Sequence, residues 1–159
     1  LMGYTSRFLT LTKGTGVINR IFHGYGKFEG EMDGRKNGAL ISMSTGKAVA
    51  FAIFNLQARG EMFVTHNDPV YEGMIVGLTP KPGDMIINVM KGKQLTNMRT
   101  QGTDENVVLT PVRQMSIAEQ LSMLNTDEAL EITPKSLRLR KAILNPHERK
   151  KSEKSGAAA

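Results

Sequence analysis

Residues 38–54 read GALISMSTGKAVAFAIF and end in the longest uninterrupted apolar run of the chain, Ala48 to Phe54. Two apolar segments, 38–44 and 47–54, are joined by Thr45-Gly46, a pairing that predicts a β-hairpin. Because residues 48–54 are apolar throughout, the second strand is expected to be buried on both faces. Working outward, 57–60 is a connector. Short strands are expected at 61–65, 70–77 and 84–89, separated by HNDP and TPKPG turns, and another at 106–110, stopped by Pro111.

Ser116-Ile117-Ala118-Glu119 has the S-x-x-E form of a capping box, in which hydroxyl and carboxylate satisfy each other's backbone amides. Ile117, Leu121 and Leu124 then share one helical face. Strands are expected at 129–133 and 136–141, around Pro134. Upstream, 6–13 predicts a short helix closed by Gly14, and 16–25 a strand rich in β-branched and aromatic residues. The Gly-rich, charged stretch 26–37 reads as a domain boundary. Residues 145–159 are polar, charged and end in GAAA, so they are expected to be a disordered basic tail. Many short strands with close turns predict an α+β, mainly β chain built as a compact β-barrel with one or two helices. No internal repeat is present.

The length, 159 residues, suits one domain or a small domain plus part of another. With 40% hydrophobic and 23% charged residues the chain falls in the globular range. The first residue is Leu, which predicts a piece of a longer protein. Seven apolar residues cannot cross a ~30 Å hydrocarbon layer, and no signal-peptide pattern opens the chain, so no membrane contact and a cytoplasmic location are expected. The absence of Cys excludes disulfides and thiolate metal sites.

The net charge of +6 hides an asymmetry. Residues 1–60 carry eight cations and three anions, 61–134 five and ten, and 135–159 eight and two. Basic ends attract polyanions through Coulomb steering and counterion release. The same balance also fits a basic protein with no anionic partner.

Enzymatic motifs are missing. A P-loop needs Gly, four residues, then Gly-Lys-Ser/Thr. Gly46-Lys47 is followed by Ala48 and has Ile41 in the first glycine's place; Gly92-Lys93 is followed by Gln94 and has Ile87 there. His23, His66 and His147 show no metal-ligand spacing, and His66, in a turn, reads as a solvated imidazole. No G-x-S-x-G turn occurs. The acid pairs Asp104-Glu105 and Asp127-Glu128 lie next to turns and read as solvated or capping pairs. This chain alone is therefore expected to be no enzyme and to hold neither cofactor nor metal.

Residues 90–106, MKGKQLTNMRTQGTDEN, are the informative segment. Seventeen residues without periodicity make a long loop for a compact domain, and such loops are usually functional or disordered. Lys91, Lys93 and Arg99 supply charge; Gln94, Asn97 and Gln101 supply amides; Thr96, Thr100 and Thr103 supply hydroxyls. Gly92 and Gly102 permit close backbone approach. These are donors for a ribose-phosphate backbone. With no aromatic in the loop, contacts to phosphate and 2′-hydroxyl are expected rather than base stacking. A polar surface loop without a ligand has the same composition. A second basic feature is the strand 136–141, where Leu137 and Leu139 face inward and Arg138 and Arg140 share the outer face roughly 6.6 Å apart, followed by Lys141. An ordinary solvated strand also looks like this. Lys150 and Lys151 read as a solubilising tail, and the ten methionines as core filler.

GKQLTNMRTQGTDE resembles the G-K-K-L-T-N-x-R-x-x-G-x-D-E loop of the BipA/TypA family of ribosome-binding translational GTPases. FLTLTKGTG, RKNGALIS, GKAVAFAIFNLQARG, VYEGMIVG and ITPKSLRLRK resemble family segments in the family's order, so the resemblance covers about residues 1–141. It implies a remnant of a ferredoxin-like domain similar to that of elongation factor G at 1–30 (its last helix and strand), the family's C-terminal β-barrel domain at 31–144, and the tail at 145–159. It further implies that this module contacts 23S ribosomal RNA, and that the loop reaches the acceptor end of A-site tRNA through Lys91, Gly92, Lys93, Gln94, Leu95, Thr96, Asn97 and Arg99. Arg138, Arg140 and Lys141 are expected to add a second RNA contact. The implied role is in large-subunit assembly and stress-related translation, with GTP and Mg bound only in the parent's absent GTPase domain. Gln94 departs from the family's second Lys and removes one charge. Phe8, Leu9 and Phe22 are expected to be exposed, or covered by a neighbouring chain, and the chain to be monomeric in solution. The competing reading is a protein-interaction β-domain whose edge or apolar 1–25 segment binds a partner, with incidental basic charge.

Overall fold

The computed structural model describes residues 4–27, 35–92 and 108–156. The chain is α+β and mainly β. Its centre is β1 (Ala39–Ser42), all four residues of which are buried. This strand pairs antiparallel with β5 (Ile75–Leu78) and parallel with β6 (Met85–Ile87), while β3 (Glu61–Met62) pairs antiparallel with the far side of β5. The four-stranded order is β3-β5-β1-β6.

Alternation along β1 and β5 builds two cores. Leu40 and Val76 point to one side, into a cluster with Ala52, Ile53, Val70, Ile87 and Val89. Ala39, Ile41 and Ile75 point to the other, where they meet Leu139 and the half-buried Phe63, Met115, Leu124 and Leu130. Leu139 belongs to β8 (Leu137–Lys141), which forms a hairpin with β7 (Glu128–Ile132) in register Leu130↔Leu139. A two-stranded ladder of β2 (Gly46–Lys47) and β4 (Pro69–Val70) completes the sheets. Met62 and Met74 are buried core residues, and Met85, Met90 and Met115 pack against the core.

The start of β1 depends on a glycine. A Cβ at Gly38 would stand 1.8 Å from the Gly83 carbonyl oxygen, so only Gly lets these backbones approach.

The apolar run is the main correction. Residues 50–57 form a helix, α2 (Ala50–Gln57), and not the second arm of a hairpin. An all-apolar run leaves strand and helix undecided. Here Ala50, Ala52, Leu56 and Gln57 favour a helix, and Val49, Ala52, Ile53 and Leu56 recur at helical spacing on the core-facing side. Thr45-Gly46 accordingly joins β1 to β2 without pairing them, since β2 pairs with β4. The N-cap residue of α2, Val49, has no side chain that can cap; instead the Ala50 amide donates to His66 Nδ1 at 3.2 Å. His66 is exposed, but it has this structural task.

Other expectations hold in part. The first helix is α1 (Tyr4–Leu11). Its end is a Schellman turn in which Gly14 donates to Leu9 O at 2.7 Å and Lys13 carries the left-handed φ of 52°. Residues 15–27 form no strand, nor do 108–110. Leu9 and Phe22 are exposed as expected, whereas Phe8 is half-buried against its own segment. The expected strand 70–77 is broken by a turn at Glu72-Gly73 into β4 and β5. The capping box forms as read, with Glu119 N donating to Ser116 Oγ at 3.3 Å and Ser116 N to Glu119 Oε2 at 2.8 Å, at the head of α3 (Ile117–Ser122). Glu119 is held below its ordinary carboxylate value by the Ser116 amide and hydroxyl, with Arg113 adding to them. Residues of the expected disordered tail form a helix, α4 (Pro146–Gly156).

The sheets do not close into a barrel. Among the described residues they remain three separate sheets, and the bridge Met74↔Arg140 ties the β7–β8 hairpin to the edge of the four-stranded sheet near β5.

Candidate nucleic-acid interface

Lys91 and Gly92 leave β6 exposed, at the entrance to the long segment. Lys93, Gln94, Thr96, Asn97 and Arg99 lie outside the described residues. Lys91 lies on the rim of a cleft of about 340 Å³ beside α2, with Phe51, Asn55, Arg59 and Asn88. Asn55 Nδ2 donates to Phe51 O at 2.7 Å, and Asn88 Oδ1 accepts from Met90 N at 2.9 Å. Two cations, two amides and an aromatic edge thus border one concave surface. Asn55, Arg59 and Asn88 were not legible as site residues while 47–54 was read as a strand. On a helix, Phe51 and Asn55 are four apart and so share one side of α2, and Arg59, just past its end, follows four residues later and lines the same cleft.

Arg138 and Arg140 do share the outer face of β8, as alternation requires, but neither is simply solvated. Arg138 Nη1 lies 3.4 Å from Glu131 Oε1 across the hairpin. Arg140 Nη1 donates to the carbonyls of Lys141 and Ala142 at 3.2 and 3.4 Å. Tyr71 adds its hydroxyl to the same face, donating to Glu131 Oε2 at 2.5 Å. Burial and the Glu131 carboxylate push the Tyr71 phenol up to about 12, against the opposing pull of Arg140 and Arg138.

Lys141 does not belong with them. Alternation that turns Leu137 and Leu139 inward turns Lys141 inward too, and its side chain is 2% exposed. Its Nζ lies 2.5 Å from Asp84 Oδ2, 2.6 Å from Asp127 Oδ2 and 3.0 Å from Glu128 Oε1. Burial alone would lower its pKa, but the hydrogen bonds it donates to the three carboxylates outweigh that and raise it. For Asp84 the same balance runs the other way: burial would raise it, and Lys141 with the Ala39 amide holds it below the ordinary value. Arg35 completes the network with a two-pronged bond to Glu128 at 2.8 and 3.1 Å. A cation enclosed by three carboxylates cannot serve a phosphate, so Lys141 is a structural residue. Those carboxylates converge on an ammonium, and among the described residues no group of His, Asp or Glu is arranged to hold a metal. Nor, among them, is any helix long and apolar enough to cross a membrane.

Residues 37–146 match the family model of the TypA/BipA C-terminal domain. The chain is 49% identical over 155 residues to the large ribosomal subunit assembly factor BipA of Buchnera aphidicola subsp. Schizaphis graminum, which covers 97% of this chain and 26% of that protein. It is 44% identical to the proteins of the same name from Salmonella typhimurium, over 97% of this chain, and Escherichia coli K12, over 98%, again with 26% of each relative covered. The chain spans about a quarter of the length of the curated relatives it matches. With the model aligned over more than two thirds of the sequence, this chain belongs to the TypA/BipA C-terminal domain family.

Proposed function

We propose that this chain is the ribosome-docking, RNA-contacting C-terminal module of a translational GTPase that acts in large-subunit assembly. The observation that carries this reading is the 44–49% identity, over nearly the whole chain, to proteins named as large ribosomal subunit assembly factors. The exposed Lys91-Gly92 entrance and the polar cleft beside it support the contact surface. Segment 90–106 neutralises phosphates of 23S ribosomal RNA and of the tRNA acceptor end through Lys91, Lys93 and Arg99, while Gln94, Thr96 and Asn97 donate to sugars and phosphates and Gly92 brings the backbone close. Arg138 and Arg140 add a weaker contact, tempered by Glu131. GTP and Mg are bound elsewhere in the parent, and the module itself catalyses nothing.

The test is co-sedimentation with purified large ribosomal subunits across a salt series. Changing Lys91, Lys93 and Arg99 to Ala weakens binding and flattens the plot of log affinity against log salt by about 0.7–0.9 per lost phosphate contact. Unchanged affinity and slope would remove the segment as the anchor. A second reading rests on one observation: Val17, Ile21, Phe22 and Tyr25 are each at least 74% exposed. Such a patch fits a protein contact, which would be ribonuclease-resistant and nearly independent of salt.

A further inference from the structure

The basic C-terminal segment is an ordered helix, and helical geometry gives its lysines an arrangement that composition alone does not. In α4, His147, Lys150, Lys151 and Lys154 stand at spacings of three, one and three, so all four lie on one face, spread along about 10 Å of the axis. All four are exposed. Among the side chains the structure describes, Glu153 not being one of them, none of the three ammonium groups has a carboxylate within ion-pair distance.

The fold fixes the start of this helix. Asn145 Oδ1 accepts from the His147 amide at 2.8 Å. Arg149 Nη1 donates back to Ile143 O and Leu144 O at 3.0 and 2.7 Å. Leu144 packs over Gly73, whose φ of +82° and missing Cβ allow its backbone within 2.7 Å of where a Cβ would be. Lys36, exposed just before β1, and Lys150 line one cleft of about 460 Å³. Asp84 and Asp127 line the same cleft, the latter exposed, and both are engaged by the buried Lys141, whose ammonium answers part of their charge. The remaining α4 side chains, including Glu148, Ser152 and Ser155, are polar, so this helix has no apolar face to lay into a bilayer.

We propose that the His147-Lys150-Lys151-Lys154 face of α4, continued by Lys36 across the cleft, is a second RNA-backbone docking surface, separate from segment 90–106. It rests on the ribosome-docking reading above and adds a contact whose ligand is a run of phosphates. Its contribution is electrostatic, carries no base sequence information, and steepens the salt dependence.

Salt-dependent binding of the full chain to purified large ribosomal subunits, and to the RNA extracted from them, tests it. Lys150→Gln/Lys151→Gln/Lys154→Gln keeps helix-compatible side chains and removes three charges. Lys13→Gln/Lys47→Gln/Lys81→Gln removes the same net charge elsewhere. The α4 variant should lose on the order of tenfold or more in affinity at physiological salt and flatten the log–log slope by about 2 to 3, with both RNA and subunits. The control variant should lose much less, and Lys→Arg at the three α4 positions should restore the slope. Equal behaviour of wild type and α4 variant, or of α4 and control variants, would overturn the proposal while leaving the 90–106 contact standing. A change seen with intact subunits and absent with extracted RNA would assign the face to a protein and overturn it as an RNA surface. If wild type bound neither at any salt, both readings would fall.

Discussion

Glu128 and Lys141 sit opposite each other in register across the β7–β8 hairpin, and their charged ends meet at 3.0 Å with side chains 0% and 2% exposed. The pair is the centre of a wider clamp. Arg35 reaches Glu128 from the segment before β1, and Asp84 reaches Lys141 from the turn before β6. The hairpin carrying Arg138 and Arg140 is thereby fixed to the central sheet by charges, beside the apolar contact of Leu139.

Removing one member should therefore be costly. Lys141→Met takes the ammonium from Asp84, Asp127 and Glu128 and leaves only Glu128 with a cation, Arg35; breaking a buried pair in this way costs about 3–5 kcal/mol. Thermal unfolding should show a Tm lower by on the order of 10 °C. In a double-mutant cycle, Glu128→Gln/Lys141→Met should be less destabilised than the sum of the single changes by at least about 1 kcal/mol. Strict additivity would show that the two side chains do not stabilise each other.

This clamp also marks where sequence reading stops. The two strands around Pro134 were legible, at 129–133 and 136–141, though not their pairing, and so was the Ser116/Glu119 capping box, because both of its partners lie within four residues. Alternation even places Lys141 inward with Leu137 and Leu139. What cannot be read from local pattern is that Asp84 reaches Lys141, and Arg35 reaches Glu128, from segments far away in the chain. The misreading at 50–57 has a different cause. An unbroken apolar run carries no polar residues to report the period, and only Val49, Ala52, Ile53 and Leu56 taken together show the helical spacing. With that helix unseen, Asn55 and Arg59 could not be joined to Lys91; in the tail, the charged composition masked a start signal that is present, Asn145 before Pro146 with Glu148 in the first turn.

Stability should be bounded on both sides of neutral pH. Asp84 has a folded value below 3.8, so its contribution is present above that pH and is lost as pH falls through the depressed value. Lys141 lies above 10.5 and Tyr71 near 12, so their contributions are complete below about pH 10 and are lost as pH rises through the raised values. Urea midpoints should be flat across the neutral range and fall at each end. Asp84→Asn should lower the neutral plateau and make the acid limb shallower, and Tyr71→Phe should make the alkaline limb shallower. Limbs parallel to wild type in both variants would show that other groups govern the titration.

His66 gives a smaller, local prediction. Its Nδ1 accepts the first amide of α2, which Val49 cannot cap. His66→Ala removes that acceptor at an exposed site, where a hydrogen bond is worth about 0.5–1.5 kcal/mol. Amide exchange at Ala50 should accelerate, while the strands of the central sheet keep their protection. An unchanged Ala50 exchange rate would mean that water serves the amide equally well.

Two glycines separate folding from docking. At Gly38 an added Cβ would strike the Gly83 carbonyl at 1.8 Å, and both partners are backbone, so neither can swing aside. Gly38→Ala should cost about 1–3 kcal/mol or more and shift the β1–β6 junction. At Gly92 an added Cβ meets nothing within 4 Å among the described residues. Gly92→Ala should therefore leave the urea midpoint within about 0.5 kcal/mol of wild type. If segment 90–106 brings its backbone against RNA, the same methyl group stands between Gly92 and the ribose-phosphate chain, and the affinity for large ribosomal subunits falls severalfold with no change in the slope against salt, because no charge is lost. Wild-type affinity in Gly92→Ala would restrict the contact to side chains, leaving Lys91 and its neighbours as the only donors at that point.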